Sequence, residues 1–187
     1  MGLKVKDKAE FVGTFRWIEV FLMETLASWV PTTPEMEVKV LFGRHVWEAA
    51  QNADGLGKRS FELRAPLHYT LPPPGDYEAL FRELPSLEQT SDRIAVFYDA
   101  VLPALAKRYS DYLAATDHLL DEPTVRVMER ILDGHRRMLA ERQTWCKDLA
   151  LAAPNPALAK SWAQREGAFP GMVTHGAGAA LARAVPA

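Results

Sequence analysis

Four long stretches of this chain repeat apolar residues at steps of three and four, and no other feature constrains the fold as much. In the first, Phe11, Phe15, Ile18, Leu22, Leu26 and Trp29 share one face of a helix expected over about Lys8–Trp29. A second stripe, Val38, Leu41, Phe42, His45, Ala49, Asn52 and Leu56, predicts a helix over about Pro34–Leu63. A third, Ile94, Tyr98, Val101, Leu105, Tyr109, Tyr112, Thr116 and Leu119, predicts one over about Ser91–Leu119, with Pro103 expected to kink it. The fourth runs Val125, Met128, Leu132, His135, Leu139, Arg142, Cys146 and Leu149, over about Pro123–Leu149. Such stripes bury themselves by packing helix on helix, so the chain is all-α.

The connections set the topology. "VPTTPE" (Val30–Glu35) is short, with Thr33 expected as N-cap and Pro34 in the first turn. "APLHYTLPPPGDY" (Ala65–Tyr77) breaks regular structure with its prolines, and a short helical piece is expected at Tyr77–Leu84. "LLDEPT" is short again. Short, long, short makes two antiparallel pairs joined by one crossover. The expected domain is a four-helix bundle over residues 1–153 with its crossover at 64–90. Residues 154–187, rich in Ala and Gly, are expected to form a loosely packed tail.

At 187 residues the chain is long enough for one domain with a real core. A formal net charge of −2 gives no electrostatic reason for nucleic acid or an anionic membrane as partner. The single Cys146 excludes an internal disulfide and a Cys-rich zinc site. No apolar run is long enough to span a membrane, and the charged "MGLKVKDKAEF" does not read as a signal peptide, so the expected location is cytoplasmic. Trp17, Phe21 and Trp47 lie beside or away from the main stripes; they are expected to be covered by a homodimer contact, or by the crossover and the tail.

The stretch "HVWEAAQNADGLGKRSFELR" (His45–Arg64) resembles the "W…E…HAD.L..R..ELR" segments of bacterial members of the ferritin-like superfamily. The resemblance covers roughly residues 8–150 and implies a ferritin-like bundle with the long crossover between its second and third helices. Members with a di-iron site supply a carboxylate from each of two helices and a Glu-x-x-His from each of the others. This chain departs from that pattern. Glu48 is followed three residues on by Gln51, Glu129 by Leu132, and no Glu-x-x-His occurs. Asn52 stands where the resembling segment often carries His.

Polar residues nevertheless fall on the inner face of every long helix. Glu19 lies among apolar residues on the first, His45 and Asn52 on the second, Tyr98, Tyr109 and Tyr112 on the third, His135 and Arg142 on the fourth. Three classes of function follow. The leading one is an enzyme acting on a small, largely apolar metabolite in the bundle core by general acid–base chemistry, as a cyclase, isomerase or lyase, without a cofactor. Glu19, His45, His135, Tyr98 and Tyr109 would be its catalytic groups, and Phe15, Asn52, Tyr112 and Arg142 its substrate contacts. The second, which the resemblance implies, is an iron- or manganese-dependent oxidoreductase with ligands from Glu19, His45, Glu48, Glu129 and His135. The third is a non-catalytic binding protein whose metal site has decayed. Structural readings stand beside all three: Glu19 as an ion pair with Arg142 or Arg59, the tyrosines as packing residues, Asn52 as a helix-to-helix hydrogen bond.

Overall fold

The structure, a computed structural model, describes residues 3–145 and 155–173. All regular structure among them is helical: α1 (Val5–Thr32), α2 (Met36–Glu62), α3 (Gly75–Arg82), a 3-10 turn (Leu84–Ser86), α4 (Thr90–Val96), α5 (Leu102–Ala115), α6 (Glu122–Trp145) and α7 (Pro156–Gly167). A π-helical segment, Phe97–Val101, joins α4 to α5 without a break. No helix among the described residues is long and apolar enough to cross a membrane.

The stripes become the core. Phe15, Ile18 and Leu26 of α1, Leu41, Phe42 and Leu56 of α2, Phe97, Val101 and Leu105 of the third long helix, and Met128 and Ile131 of α6 are fully buried. Burying side chains of this size contributes about 1.5–3 kcal/mol each. α1 lies along α2, α2 along α6, and α6 along α5. Aromatic rings close the circle between α1 and α5: Phe15 meets Tyr109 at 4.7 Å and Phe11 meets Tyr112 at 5.3 Å between centroids.

Which helix ends meet is fixed by polar contacts. Thr90, opening α4, donates to Glu35 at the head of α2, and Arg93 reaches the carbonyl of Trp29 near the tail of α1. At the opposite end Asp121, preceding α6, receives Arg59 of α2, Tyr112 of α5 and the Lys8 ammonium of α1. The segment between α2 and α4 therefore leaves from one end of the assembly and delivers the chain to the other. It lies against α1, where Leu71 N–H donates to Gly13 carbonyl oxygen. Gly13 makes this approach possible, because a Cβ there would come within 2.8 Å of the Tyr69 ring.

Several sequence expectations need correction. Thr33 does not cap α2; its hydroxyl donates to the Trp29 carbonyl at the end of α1 and accepts from Arg93, and Glu35 takes the N-cap position. Pro103 lies in the first turn of α5, directly after the π segment. The π segment sends the Leu102 N–H to the carbonyl of Phe97, re-spacing the backbone just before the residue that has no N–H. The third helix ends at Ala115, short of Leu119, which is exposed. The segment expected as a loose tail contains α7, whose Trp162 is buried against Phe81 of α3 at 5.5 Å. Glu166 of α7 accepts from Tyr77 and Arg108, locking that helix onto the main body. Cys146, Leu149 and His175 lie outside the described residues. Trp17 and Phe21 stack on each other and are partly buried, and Phe21 meets Phe81 of α3. Trp47 stays exposed.

Candidate functional site

The inward polar residues sort into separate groups. Glu19 sits at the centre of the first, 1% exposed. Its Oε2 accepts from Asn52 Nδ2 at 3.1 Å, and its Oε1 accepts from the Tyr109 hydroxyl at 3.0 Å. His135 Nε2 lies 3.4 Å from the same Oε1. One residue from each long helix thus meets at one carboxylate. Burial first, then the charge of Glu19 and the hydrogen bond to it, hold the Tyr109 hydroxyl well above the ordinary phenol range, so it stays a donor. His135 Nδ1 is buried without a hydrogen-bond partner among the described residues.

The second group is built on His45, two helical turns before Asn52 and so about 10 Å along α2. His45 Nδ1 is 2.7 Å from the Tyr98 hydroxyl, and Nε2 is 3.3 Å from Glu141 Oε2. Arg44 completes the group with paired contacts to Glu141, at 3.1 Å from Nε and 2.8 Å from Nη2. Burial, the larger cause, with the Arg44 charge adding to it, lowers the His45 imidazole to about 4, despite the opposing pull of Glu141. Burial alone would raise Glu141, but the hydrogen bond and charge of Arg44, with His45, hold it below the usual carboxylate range. These two facts fix the tautomer. An ionised Glu141 only accepts, so the neutral ring carries its proton on Nε2. Its Nδ1 lone pair then accepts the Tyr98 O–H. Tyr98 belongs to the π segment, whose changed helical spacing sets where that hydroxyl points.

His45 and Glu141 open onto a cleft of about 190 Å³ between α2 and α6, lined also by Arg44, Trp47, Glu48, Arg137 and Met138. A second ion pair, Arg137 to Glu48 at 3.3 Å, spans the same cleft in the opposite sense. The floor is a neutral imidazole N–H beside a carboxylate, and the walls carry both charges.

The other candidates lie elsewhere. Phe15 is core, fully buried between the Tyr109 and Tyr112 rings. The Tyr112 hydroxyl serves Asp121 at 2.8 Å. Arg142 pairs with Asp99 at 3.1 Å and Arg59 with Asp121 at 3.0 Å, so neither is the partner of Glu19. The proposed metal ligands do not converge. Glu129 is exposed, Glu48 is held by Arg137, and His45 is held by Tyr98 and Glu141, leaving only His135 beside Glu19. No three His, Cys, Asp or Glu side chains among the described residues are grouped to hold a metal ion. Both Glu19 oxygens are already hydrogen-bonded to uncharged donors. The residues present do not fit the ligand set that the resemblance implies.

Sequence reasoning missed Glu141, Arg44 and Arg137. The available signal was Met138: it is buried, whereas Leu139 is only partly so. Following the inner face of α6 through His135 and Met138 in steps of three leads to Glu141 rather than Arg142. No family model, no curated protein and no solved structure matches the chain, so its chemistry is read from these side chains alone.

Proposed function

We propose that this chain is an acid–base enzyme whose centre is the His45–Glu141 pair at the α2/α6 cleft, acting on a small oxygenated molecule. The observation that carries this reading is the pairing itself: an imidazole N–H and an ionised carboxylate, 3.3 Å apart, on the floor of one cleft. Glu141 takes a proton from a carbon next to a substrate carbonyl. The His45 Nε2–H donates to the carbonyl oxygen as negative charge develops there, and Tyr98 holds the ring in that tautomer. With a 2-hydroxyketone the enediolate passes its hydroxyl proton to the former carbonyl oxygen beside His45 Nε2, and the carbonyl re-forms at the hydroxyl-bearing carbon. Glu141 returns its proton to the former carbonyl carbon, which completes an isomerisation with no net change in atoms or electrons. Arg44 keeps Glu141 ionised at rest. The charged walls favour a polar substrate over the largely apolar one expected from the sequence, and the cleft volume favours a small one.

The test is exchange of solvent deuterium into a panel of small enolisable keto acids and hydroxyketones, followed by proton NMR. The expected result is exchange with at least one of them, slowed about 100-fold or more in Glu141→Gln. In Tyr98→Phe, which frees the ring to turn, the loss is expected to be smaller. Exchange that is equally fast in Glu141→Gln sinks the assignment.

The same reading treats the four long helices as a ferritin-like bundle, with residues 63–89 as its crossover. Its support is the polarity of the chain: α2 ends where α6 begins, and α4 begins where α2 began. On this view the Glu19–Asn52–Tyr109–His135 network occupies the middle of the bundle as a hydrogen-bonded replacement for metal ligands.

A further inference from the structure

Four exposed large apolar side chains lie on α2: Met36 is 65% exposed, Val40 41%, Trp47 66% and Phe61 62%. At about 100° per residue they fall within about 60° of one another, on the side opposite the buried stripe. The small residues Gly43 and Ala50 share this face, and a Cβ added to Gly43 would meet nothing within 4 Å. The face is therefore a nearly straight line of apolar side chains spread over about 37 Å from Met36 to Phe61 at 1.5 Å per residue, crossed by Asp54 and Lys58, with a depression beside Trp47.

We propose that this ridge pairs with the same ridge of a second copy of the chain, antiparallel, about a two-fold axis near Glu48 and Ala49. The charges decide both the occupant and the direction. With Met36 of one copy opposite Phe61 of the other, Trp47 meets Ala50 of the second copy. Arg44 then comes within reach of Asp54, and Glu37 within reach of Lys58, across the axis. Each contact occurs twice, as a two-fold interface requires. Parallel pairing would instead set Arg44 against Arg44 and Lys58 against Lys58. A lipid surface fits less well, because Asp54 interrupts the ridge and Glu37 borders it. All four charged residues are exposed; Arg44 holds Glu141 through Nε and Nη2, which leaves Nη1 for a second carboxylate, and Lys58 and Asp54, already paired within α2, join the cross-axis contacts from there. Arg44 and Trp47 also line the α2/α6 cleft, so the interface borders the proposed centre, but the pairing does not depend on the chemistry there.

Sedimentation equilibrium of the full chain across the micromolar range tests this. The wild type is expected to be a dimer, and Trp47→Glu to weaken it about 30-fold or more while the far-ultraviolet circular dichroism is unchanged. Glu37→Lys and Lys58→Glu are each expected to weaken the dimer, and the double exchange to restore it. A monomeric wild type overturns the proposal, and one that co-floats with phosphatidylcholine vesicles gives the ridge to a membrane surface instead. A dimer indifferent to Trp47→Glu overturns it as well. A charge exchange that fails to restore association overturns the antiparallel register.

Discussion

Replacing Asp121 with Ala is expected to remove about 3–5 kcal/mol of stability, because it breaks the most heavily used buried ion pair among the described residues. Asp121 is 0% exposed and precedes α6. Its Oδ1 accepts from Arg59 at 3.0 Å and Thr124 at 2.7 Å; its Oδ2 accepts from Tyr112 at 2.8 Å and Thr116 at 2.7 Å. The Lys8 ammonium stands 3.5 Å away. Burial by itself would raise this carboxyl, but the threonine and tyrosine hydrogen bonds and the Lys8 charge outweigh it and hold it low. Truncation strands the Arg59 guanidinium, which is almost as buried, together with three hydroxyl donors. The graded controls are Asp121→Asn, which keeps the shape and part of the acceptor capacity, and Tyr112→Phe, which removes one hydrogen bond worth about 1 kcal/mol. Urea unfolding of the set should rank Asp121→Ala well below Asp121→Asn, with Tyr112→Phe nearest the wild type. An alanine variant within about 1 kcal/mol of the wild type would show that this knot does not hold the helix ends together.

That knot marks the boundary of what the sequence discloses. The stripes that make the core are legible because a helix's period is local, and each long helix carries its own pattern. The same reasoning brings Glu19, Asn52, Tyr109 and His135 together, since each sits near the centre of its stripe and centres converge. Edges are another matter. Arg44, Arg137 and Glu141 border the groove between α2 and α6, and that groove exists only once the two helices are side by side. Until then a charged residue at a helix edge reads like any solvated one. Thr33 shows the same limit at a helix end: a hydroxyl before Pro34 suits an N-cap, and only the arrival of Arg93 from α4 turns it toward α1. In α7 an Ala- and Gly-rich surround hides one large anchor, Trp162, whose burial depends on a pocket made by α3.

Acidification provides the second large effect, and its sign separates two descriptions of His45. The folded-state value, about 4, lies below the unfolded value of 6.5. Between these pH values the unfolded chain binds a proton that the native chain refuses, so stability falls as the pH drops through this window and levels off beneath it. The full loss corresponds to about 3 kcal/mol, at about 1.4 kcal/mol per pH unit of difference. Glu141 and Asp121, both held low, begin to lose their contributions only as the pH falls below the ordinary carboxylate values, so the His45 window opens before theirs. Were His45 instead a charged partner of Glu141, its folded value would lie above 6.5 and stability would be lost as the pH rose. Urea midpoints measured from pH 7 to pH 4, for the wild type and for His45→Gln, distinguish the two. The glutamine amide can serve both Tyr98 and Glu141 yet does not titrate, so the variant should show a shallower slope across that window. Equal slopes would mean that the imidazole takes up its proton as readily in the fold as outside it. In that case the ring would be an imidazolium at the acid end of the range, its Nδ1 would no longer accept from Tyr98, and any turnover that needs the neutral tautomer should fall as the pH drops through the ordinary imidazole range.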